Sequence, residues 1–250
     1  MKFVTTGIVN LDHALMNGIP SGYTILISGS PGSGIELFAK QFSSAHLQEE
    51  DTIYITTTER TEDVINTMKE FNWKTDIKII NIGEEFYRKF LQKEIKISRY
   101  REKGIPAEEI LRPYKFKIEK ELDILSLLSY NISELKSPFR IVIDSLDFFF
   151  GIEENSRVLS TLRMIKSHAQ YQGGVALFTL VTTLYPSLVQ SSVEEIVDII
   201  FTMENVRTQT GFERIFTIKK FRNHPEKVGI YKYDFSQKGI SISNIYIKEK

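Results

Sequence analysis

Residues Gly29-Ser30-Pro31-Gly32-Ser33-Gly34 set three glycines within six positions. The apolar run Tyr23–Ser28 precedes them, and the amphipathic stretch Leu37-Phe38-Ala39-Lys40-Gln41-Phe42 follows. The order is strand, glycine turn, helix, which gathers backbone N–H groups and a helix N-terminus around one point where an anion can sit. In a phosphate-cradling loop of the form G-x-x-x-x-G-K-[ST], the Lys reaches the β- and γ-phosphates and the hydroxyl holds Mg²⁺. Here Ile35 stands at the Lys position and Glu36 at the hydroxyl position. Ile offers no donor, and a carboxylate repels phosphate. Backbone N–H groups can hold an anion without the Lys, whereas Glu36 in the first helical turn suits the helix dipole when nothing is bound. The plainer alternative is a glycine-rich turn with no ligand.

The rest of the chain fits one α/β domain. At 250 residues with 42% hydrophobic content it can bury one substantial core. Apolar runs at Tyr23–Ser28, Thr52–Thr56, Ile77–Ile82, Phe139–Asp144 and Val175–Val181 predict strands. They alternate with helical stretches near Ile35–Gln48, Glu62–Phe71, Glu121–Leu135 and Asn155–Gln170, as a mostly parallel sheet with helices on both faces requires. After Asp198 the pattern becomes short strands at Ile199–Asn205, Phe212–Phe221, Gly229–Asp234 and Ile240–Ile242, with turns at Thr210-Gly211 and Lys238-Gly239. An antiparallel C-terminal extension of the same sheet follows from that. Residues 83–120 are too long for a plain connection and read as a helical surface insertion within a single 1–250 domain.

Composition removes several function classes. No Cys is present, so disulfides, thiolate metal sites and cysteine nucleophiles are excluded. His13, His46, His168 and His224 lack metal-ligand spacing. Net charge is +0, so global attraction to nucleic acid is not expected. No apolar run approaches the roughly 18 residues that a membrane span needs, and a soluble, cytoplasmic protein without membrane partners is the expectation.

Phe139-Arg140-Ile141-Val142-Ile143-Asp144-Ser145 is an apolar strand ending in Asp, the placement by which phosphate-loop enzymes set an acid in the second coordination shell of magnesium. A buried strand ending at a helix cap would look the same. Without the loop hydroxyl, metal binding at Asp144 is in doubt.

Several further blocks, in order, resemble the KaiC-like branch of the RecA superfamily, which includes archaeal recombinase paralogs. They are Thr6-Gly7-Ile8-Val9-Asn10-Leu11-Asp12, Asn17-Gly18-Ile19-Pro20-Ser21-Gly22, Tyr54-Ile55-Thr56-Thr57-Thr58-Glu59, Val193-Glu194-Glu195-Ile196-Val197-Asp198, Lys220-Phe221-Arg222 and Lys238-Gly239-Ile240. The resemblance implies a RecA-like phosphate-loop fold. It implies two adjacent glutamates after the second strand, one polarising the attacking water; here the positions hold Thr58 and Glu59, so one carboxylate is missing. Glu59 then either orients water or is an ordinary strand-end residue. Lys220 and Arg222 match the pair that reaches a neighbouring subunit's γ-phosphate, although alternating charges on a solvent-facing strand would read alike. Thr182 and Thr183 close the Val175–Val181 strand where a γ-phosphate-sensing residue would stand.

The functional expectation is a binding or regulatory subunit of a homo- or hetero-oligomer with related RecA-fold chains. Any ATP binding is weak, Mg²⁺ binding is weak or absent, and efficient ATP hydrolysis is not expected. The link to DNA recombination and repair comes from the resemblance alone. One alternative is an atypical but active ATPase or DNA-dependent recombination factor, with Lys40 or a partner's Lys220 replacing the missing Lys, although Lys40 lies over one helical turn beyond Ile35. Another is an adaptor docking through the insertion, where Arg88, Lys89, Lys93, Lys96, Arg99, Arg101 and Lys103 interleave with Tyr87, Phe90 and Tyr100. That interleaving also admits DNA contact, diluted by Glu84, Glu85, Glu94 and Glu102.

Overall fold

The computed structural model describes residues 2–104, 123–136, 138–182, 187–208 and 211–244. Its strands are β1 (Phe3–Val4), β2 (Ile19–Pro20), β3 (Thr24–Gly29), β4 (Asp51–Thr56), β5 (Lys78–Asn81), β6 (Phe139–Asp144), β7 (Val175–Val181), β8 (Ile199–Thr208), β9 (Gly211–Phe221), β10 (Gly229–Ser236) and β11 (Gly239–Asn244). The helices are α1 (Val9–Ala14), α2 (Ile35–Ser44), α3 (Thr61–Glu70), α4 (Ile82–Glu102), α5 (Ile124–Ser133), α6 (Leu146–Ile152), α7 (Asn155–Gln172) and α8 (Ser187–Ile196).

Nine strands form one sheet in the order β11-β10-β9-β8-β3-β7-β6-β4-β5. β8, β3, β7, β6, β4 and β5 pair in parallel, and β9, β10 and β11 continue antiparallel from β8. The expected parallel core with an antiparallel extension is what the chain forms. Every residue of β3 and β6 is buried, as strands covered on both faces must be. One apolar cluster packs α5, α6, α7 and α8 against Ile53, Ile55, Ile141, Ile143 and Phe178. The other packs α1, α2 and α3 against Ile25, Ile27, Tyr54, Val142 and Leu177. Alternate residues of the same strands thus feed the two faces.

The segment after β5 enters α4, whose N-cap Asn81 accepts a hydrogen bond from the Glu84 N–H at 2.9 Å. Glu84 and Glu85 occupy its first turn and Arg99 and Arg101 its last, complementing the helix dipole. The stretch expected to form an insertion runs as α4 through Glu102; residues 105–122 of that expectation lie outside the described residues. Thr210, one half of an expected turn, lies outside them too. Several elements, α1 among them, go beyond the sequence reading. The β1–β2 ladder tucks the N-terminus in, α6 buries Leu146, Phe149 and Phe150 at helical spacing, and α8 leads into β8.

Arg140 at the start of β6 is fully buried. Its Nε and Nη2 donate to the two oxygens of Glu50 at 3.1 and 3.2 Å. Its Nη1 donates to the Thr5 carbonyl at 3.1 Å and to the Phe42 carbonyl, and the guanidinium lies 4.4 Å over the Phe42 ring. A buried charge is tolerated when every donor is met, and removing one partner leaves the other stranded. Glu50→Gln is therefore expected to cost about 3–5 kcal/mol in urea denaturation, and adding Arg140→Met should recover much of that loss.

Candidate functional site

The carboxyl ends of β3, β6, β4 and β7 meet at one edge of the sheet, the place where open α/β sheets bind ligands. The glycine turn rises from β3 there. At Gly29 a side chain has no room, since its Cβ would meet Ser33 Oγ and lie 2.5 Å from the Met203 carbonyl oxygen. Gly34 caps α2 with φ +89°, and a Cβ there would sit 2.5 Å from the Phe235 ring. Only glycine accepts both that backbone and that ring.

Hydrogen bonds from distant elements hold the turn. Ser33 N–H donates to the Ser30 carbonyl at 3.0 Å and Thr182 N–H to that of Gly29 at 3.1 Å. Asn205 Nδ2 donates to the Gly32 carbonyl at 3.1 Å, and Tyr233 Oη to that of Ser33 at 2.8 Å. The N–H groups of Gly32, Gly34, Ile35 and Glu36 meet no partner among the described residues. Ser33 Oγ is buried and likewise unpartnered. Pro31 and Gly32 are exposed at the tip. The Ile35 side chain turns inward, 6% exposed, with Cγ2 3.0 Å from where a Gly29 Cβ would lie. Thr183 lies outside the described residues.

Asp144 sits between two strand neighbours. Tyr54 on β4 donates its hydroxyl to Oδ2 at 2.5 Å, and Thr179 on β7 donates to Oδ1 at 2.8 Å. Tyr54 is fully buried; burial first, then the Asp144 carboxylate, hold its phenol well above the ordinary tyrosine range. The charges of Glu59 and Glu36 push the same way. Burial also pushes Tyr233 up, to about 12, with Glu36 adding to it against Arg214. Asp147, a further carboxylate at this edge, accepts from the Val181 N–H at 3.1 Å, and burial raises its pKa.

Glu59 Oε1 lies 2.6 Å from Lys40 Nζ. Lys40 is 2% exposed: its side chain runs back along α2, past the Glu36 carbonyl at 3.5 Å, and ends in the site on Glu59. Thr58 is exposed. Beside the loop, Glu70, Phe71, Asn72, Phe235, Ser236 and Gln237 line an open pocket of about 710 Å³. Phe71 stacks on Trp73 with centroids 4.6 Å apart at the pocket's edge.

The structure does not bring Lys220 and Arg222 to this edge. They close β9 at the opposite end of the sheet, beside the start of β8. Lys220 Nζ donates to the carbonyls of Glu194 and Val197, each at 2.7 Å, and of Glu195 at 3.4 Å, capping α8. Burial and the nearby Lys166 lower its pKa. Arg222 Nη1 donates to Asp198 Oδ1 at 2.9 Å. Asp198 is fully buried and also accepts from Lys166 at 2.8 Å and from the Thr24 N–H and hydroxyl at 3.0 Å each. Among the described residues no group of three His, Asp or Glu side chains could hold a metal ion, and no helix is long and apolar enough to cross a membrane.

Tyr54, Thr179, Asn205, Tyr233 and Phe235 escaped the sequence reading. The alternating aromatics Tyr231, Tyr233 and Phe235 were a usable signal, since alternate strand positions share a face. Tyr54 and Thr179 gave none, because both read as ordinary strand interior.

A parallel sheet with a phosphate-cradling turn after one strand and an acid at the tip of another defines a phosphate-loop domain of the RecA superfamily. The family model described as "ATPase: KaiC" matches residues 4–246, and the chain belongs to that family. It is 24% identical over 245 residues to the circadian clock oscillator protein KaiC of Parathermosynechococcus lividus, covering 95% of this chain and 41% of that one. A UPF0273 protein of Methanocaldococcus jannaschii is 24% identical over 246 residues, 97% of this chain and 96% of that one. A UPF0273 protein of Thermotoga maritima is 40% identical over 77 residues, which span 30% of this chain and 32% of the relative. The chain thus matches less than half the length of the Thermotoga protein and of KaiC. Among solved structures, a KaiC-like protein of Pyrococcus horikoshii OT3 superposes with a TM-score of 0.64 at 20% identity, covering 96% of this chain and 98% of that one; at that identity the likeness is one of fold.

Asp198 yields a pH expectation. Burial alone would raise its pKa, but Lys166, Thr24 and Arg222 outweigh it and hold the carboxylate below the ordinary range. A depressed native pKa contributes stability that is fully present above the unfolded-state value of about 3.9 and is lost as pH falls through the native value. Urea midpoints measured between about pH 2.5 and 7 should fall at the acid end, and Asp198→Asn should lower the neutral plateau and flatten that acid limb.

Proposed function

We propose that this KaiC-family domain binds a nucleotide through the Gly29–Glu36 turn without hydrolysing it efficiently, and serves as a binding or regulatory subunit in an assembly of RecA-fold chains. One observation carries this reading: four loop N–H groups and the buried Ser33 hydroxyl lack partners among the described residues, while the flanking side chains are Ile35 and Glu36. Unpaired N–H groups at a helix N-terminus suit phosphate. The pocket lined by Phe71 and Phe235 lies alongside and offers a base aromatic surface. Phosphoryl transfer, by contrast, depends on cations that neutralise the developing charge, and this site lacks the two groups that would supply or hold them. Glu59, the remaining candidate for orienting water, is engaged by Lys40.

Arg222, half-exposed with only Nη1 engaged among the described residues, has donors to offer a neighbouring subunit. Lys220 already donates to three carbonyls of its own chain. Any DNA contact linked to recombination or repair would fall on α4, where exposed Tyr87 and Phe90 flank Arg88; the Arg88 pairing with Glu84 at 2.6 Å makes that a subsidiary reading.

Calorimetric titration with ATP, alongside phosphate release, tests the proposal. Binding in the range of about 10 µM to 1 mM with release at background is the expected result. Glu36→Thr removes a repelling carboxylate and should tighten ATP about tenfold, which corresponds to ~1.4 kcal/mol. Steady turnover by the wild-type protein would overturn the reading.

A further inference from the structure

The fold family implies Mg²⁺ beside the phosphates, yet the donors at this edge do not suit it. A magnesium ion is held by one or two carboxylates together with phosphate oxygens and several waters, in near-ideal octahedral geometry. Asp144, the strand-end acid, is 5% exposed, and each of its oxygens accepts a hydrogen bond from a buried hydroxyl, at 2.5 and 2.8 Å. Thr179 stands beside it on β7, next after the Ile143–Phe178 pair of the β6–β7 ladder. Tyr54 reaches forward from β4, where it pairs with Val142 two residues behind Asp144. The two donors therefore enter from either side of the carboxylate, and both are themselves 0% exposed. Any coordination would have to draw on the lone pairs that these two hydroxyls leave, at a carboxylate that is itself enclosed, and displacing Tyr54 from its 2.5 Å bond would strand a buried hydroxyl. The loop hydroxyl that would complete a metal shell is replaced by Glu36.

We propose that the loop takes its nucleoside phosphate without a divalent cation, the Tyr54 and Thr179 hydroxyls holding Asp144 where a hydrated metal would otherwise be needed. The proposal rests on the nucleotide-binding reading above and narrows its ligand to the metal-free anion. Loop N–H groups and Ser33 Oγ supply the hydrogen bonds, and the helix N-terminus supplies the partial positive charge. Tyr54 is a positioning residue in this scheme: it acts on the ligand only through the carboxylate that it restrains. Its near-isosteric replacement by Phe keeps the ring in the core and deletes the donor.

The test is calorimetric titration of the full chain with ADP and with ATP, each in EDTA and in excess Mg²⁺, for the wild type and for Tyr54→Phe. For the wild type, the Kd with EDTA is expected within about threefold of the Kd with Mg²⁺, or tighter. For Tyr54→Phe, one Asp144 oxygen is released, and Mg²⁺ is expected to tighten binding by about threefold or more. Asp144→Asn added to that variant should abolish the gain. Wild-type binding tenfold tighter with Mg²⁺ overturns the metal-free inference and leaves nucleotide binding standing. Binding that is absent in both buffers overturns both. A Tyr54→Phe protein as indifferent to Mg²⁺ as the wild type overturns the role given to Tyr54.

Discussion

A charge is buried at each end of β6, and the fold is arranged around satisfying both. At one end the Arg140 guanidinium is met by Glu50, two backbone carbonyls and the face of Phe42. At the other the Asp144 carboxylate is met by Tyr54 and Thr179. A lone buried charge costs several kcal/mol, so neither end of the strand tolerates a shift against its neighbours. A one-residue slip of β4 or β7 would turn Tyr54 or Thr179 to the opposite face and leave Asp144 uncompensated. The register of the central strands is thus tied to the same contacts that shape the site. The Arg140 end anchors the strand, and the Asp144 end lies at the sheet edge from which the glycine turn rises.

The sequence was informative wherever a local rule decides the outcome. The glycine turn could be placed because few residues accept its backbone, and β3 and β6 because fully buried strands are unbroken apolar runs. The change from long alternating elements to short strands after Asp198 marked the antiparallel extension. Legibility failed where tertiary neighbours decide. Leu146-Asp147-Phe148-Phe149-Phe150 shows no polar face at helical spacing, yet it forms a helix with three buried side chains. Lys40 reads as a residue pointing away from the loop, but long side chains on a helix lie back towards its N-terminus, and Glu59 waits there. Lys220 could not be recognised as a helix cap while α8 itself was unrecognised in the sequence.

The site also illustrates how little overall charge says about a local field. Across the chain acids and bases cancel. Around the turn, however, the acids Glu36, Glu59 and Asp144 gather, and the nearby Lys40 ammonium is already paired with Glu59. Among the described residues, backbone N–H groups and the Ser33 hydroxyl are the uncommitted donors at the turn. Membership of the KaiC family describes the frame; these few side chains set what the frame can hold.

The contacts that Asn205, Tyr233 and Phe235 make with the glycine turn have a consequence for how the protein comes into being. The turn leaves the ribosome early, but the hydroxyl that fixes its Ser33 carbonyl arrives 200 residues later, as does the ring seated on Gly34. Loop closure over such separations comes late in folding, after nearer contacts have formed. A partly synthesised chain would have the glycines without their supports, so its turn would be loose and its affinity for anions poor. Competence to hold a ligand would then report that the C-terminal strands have docked, making it a property of the finished domain rather than of the motif.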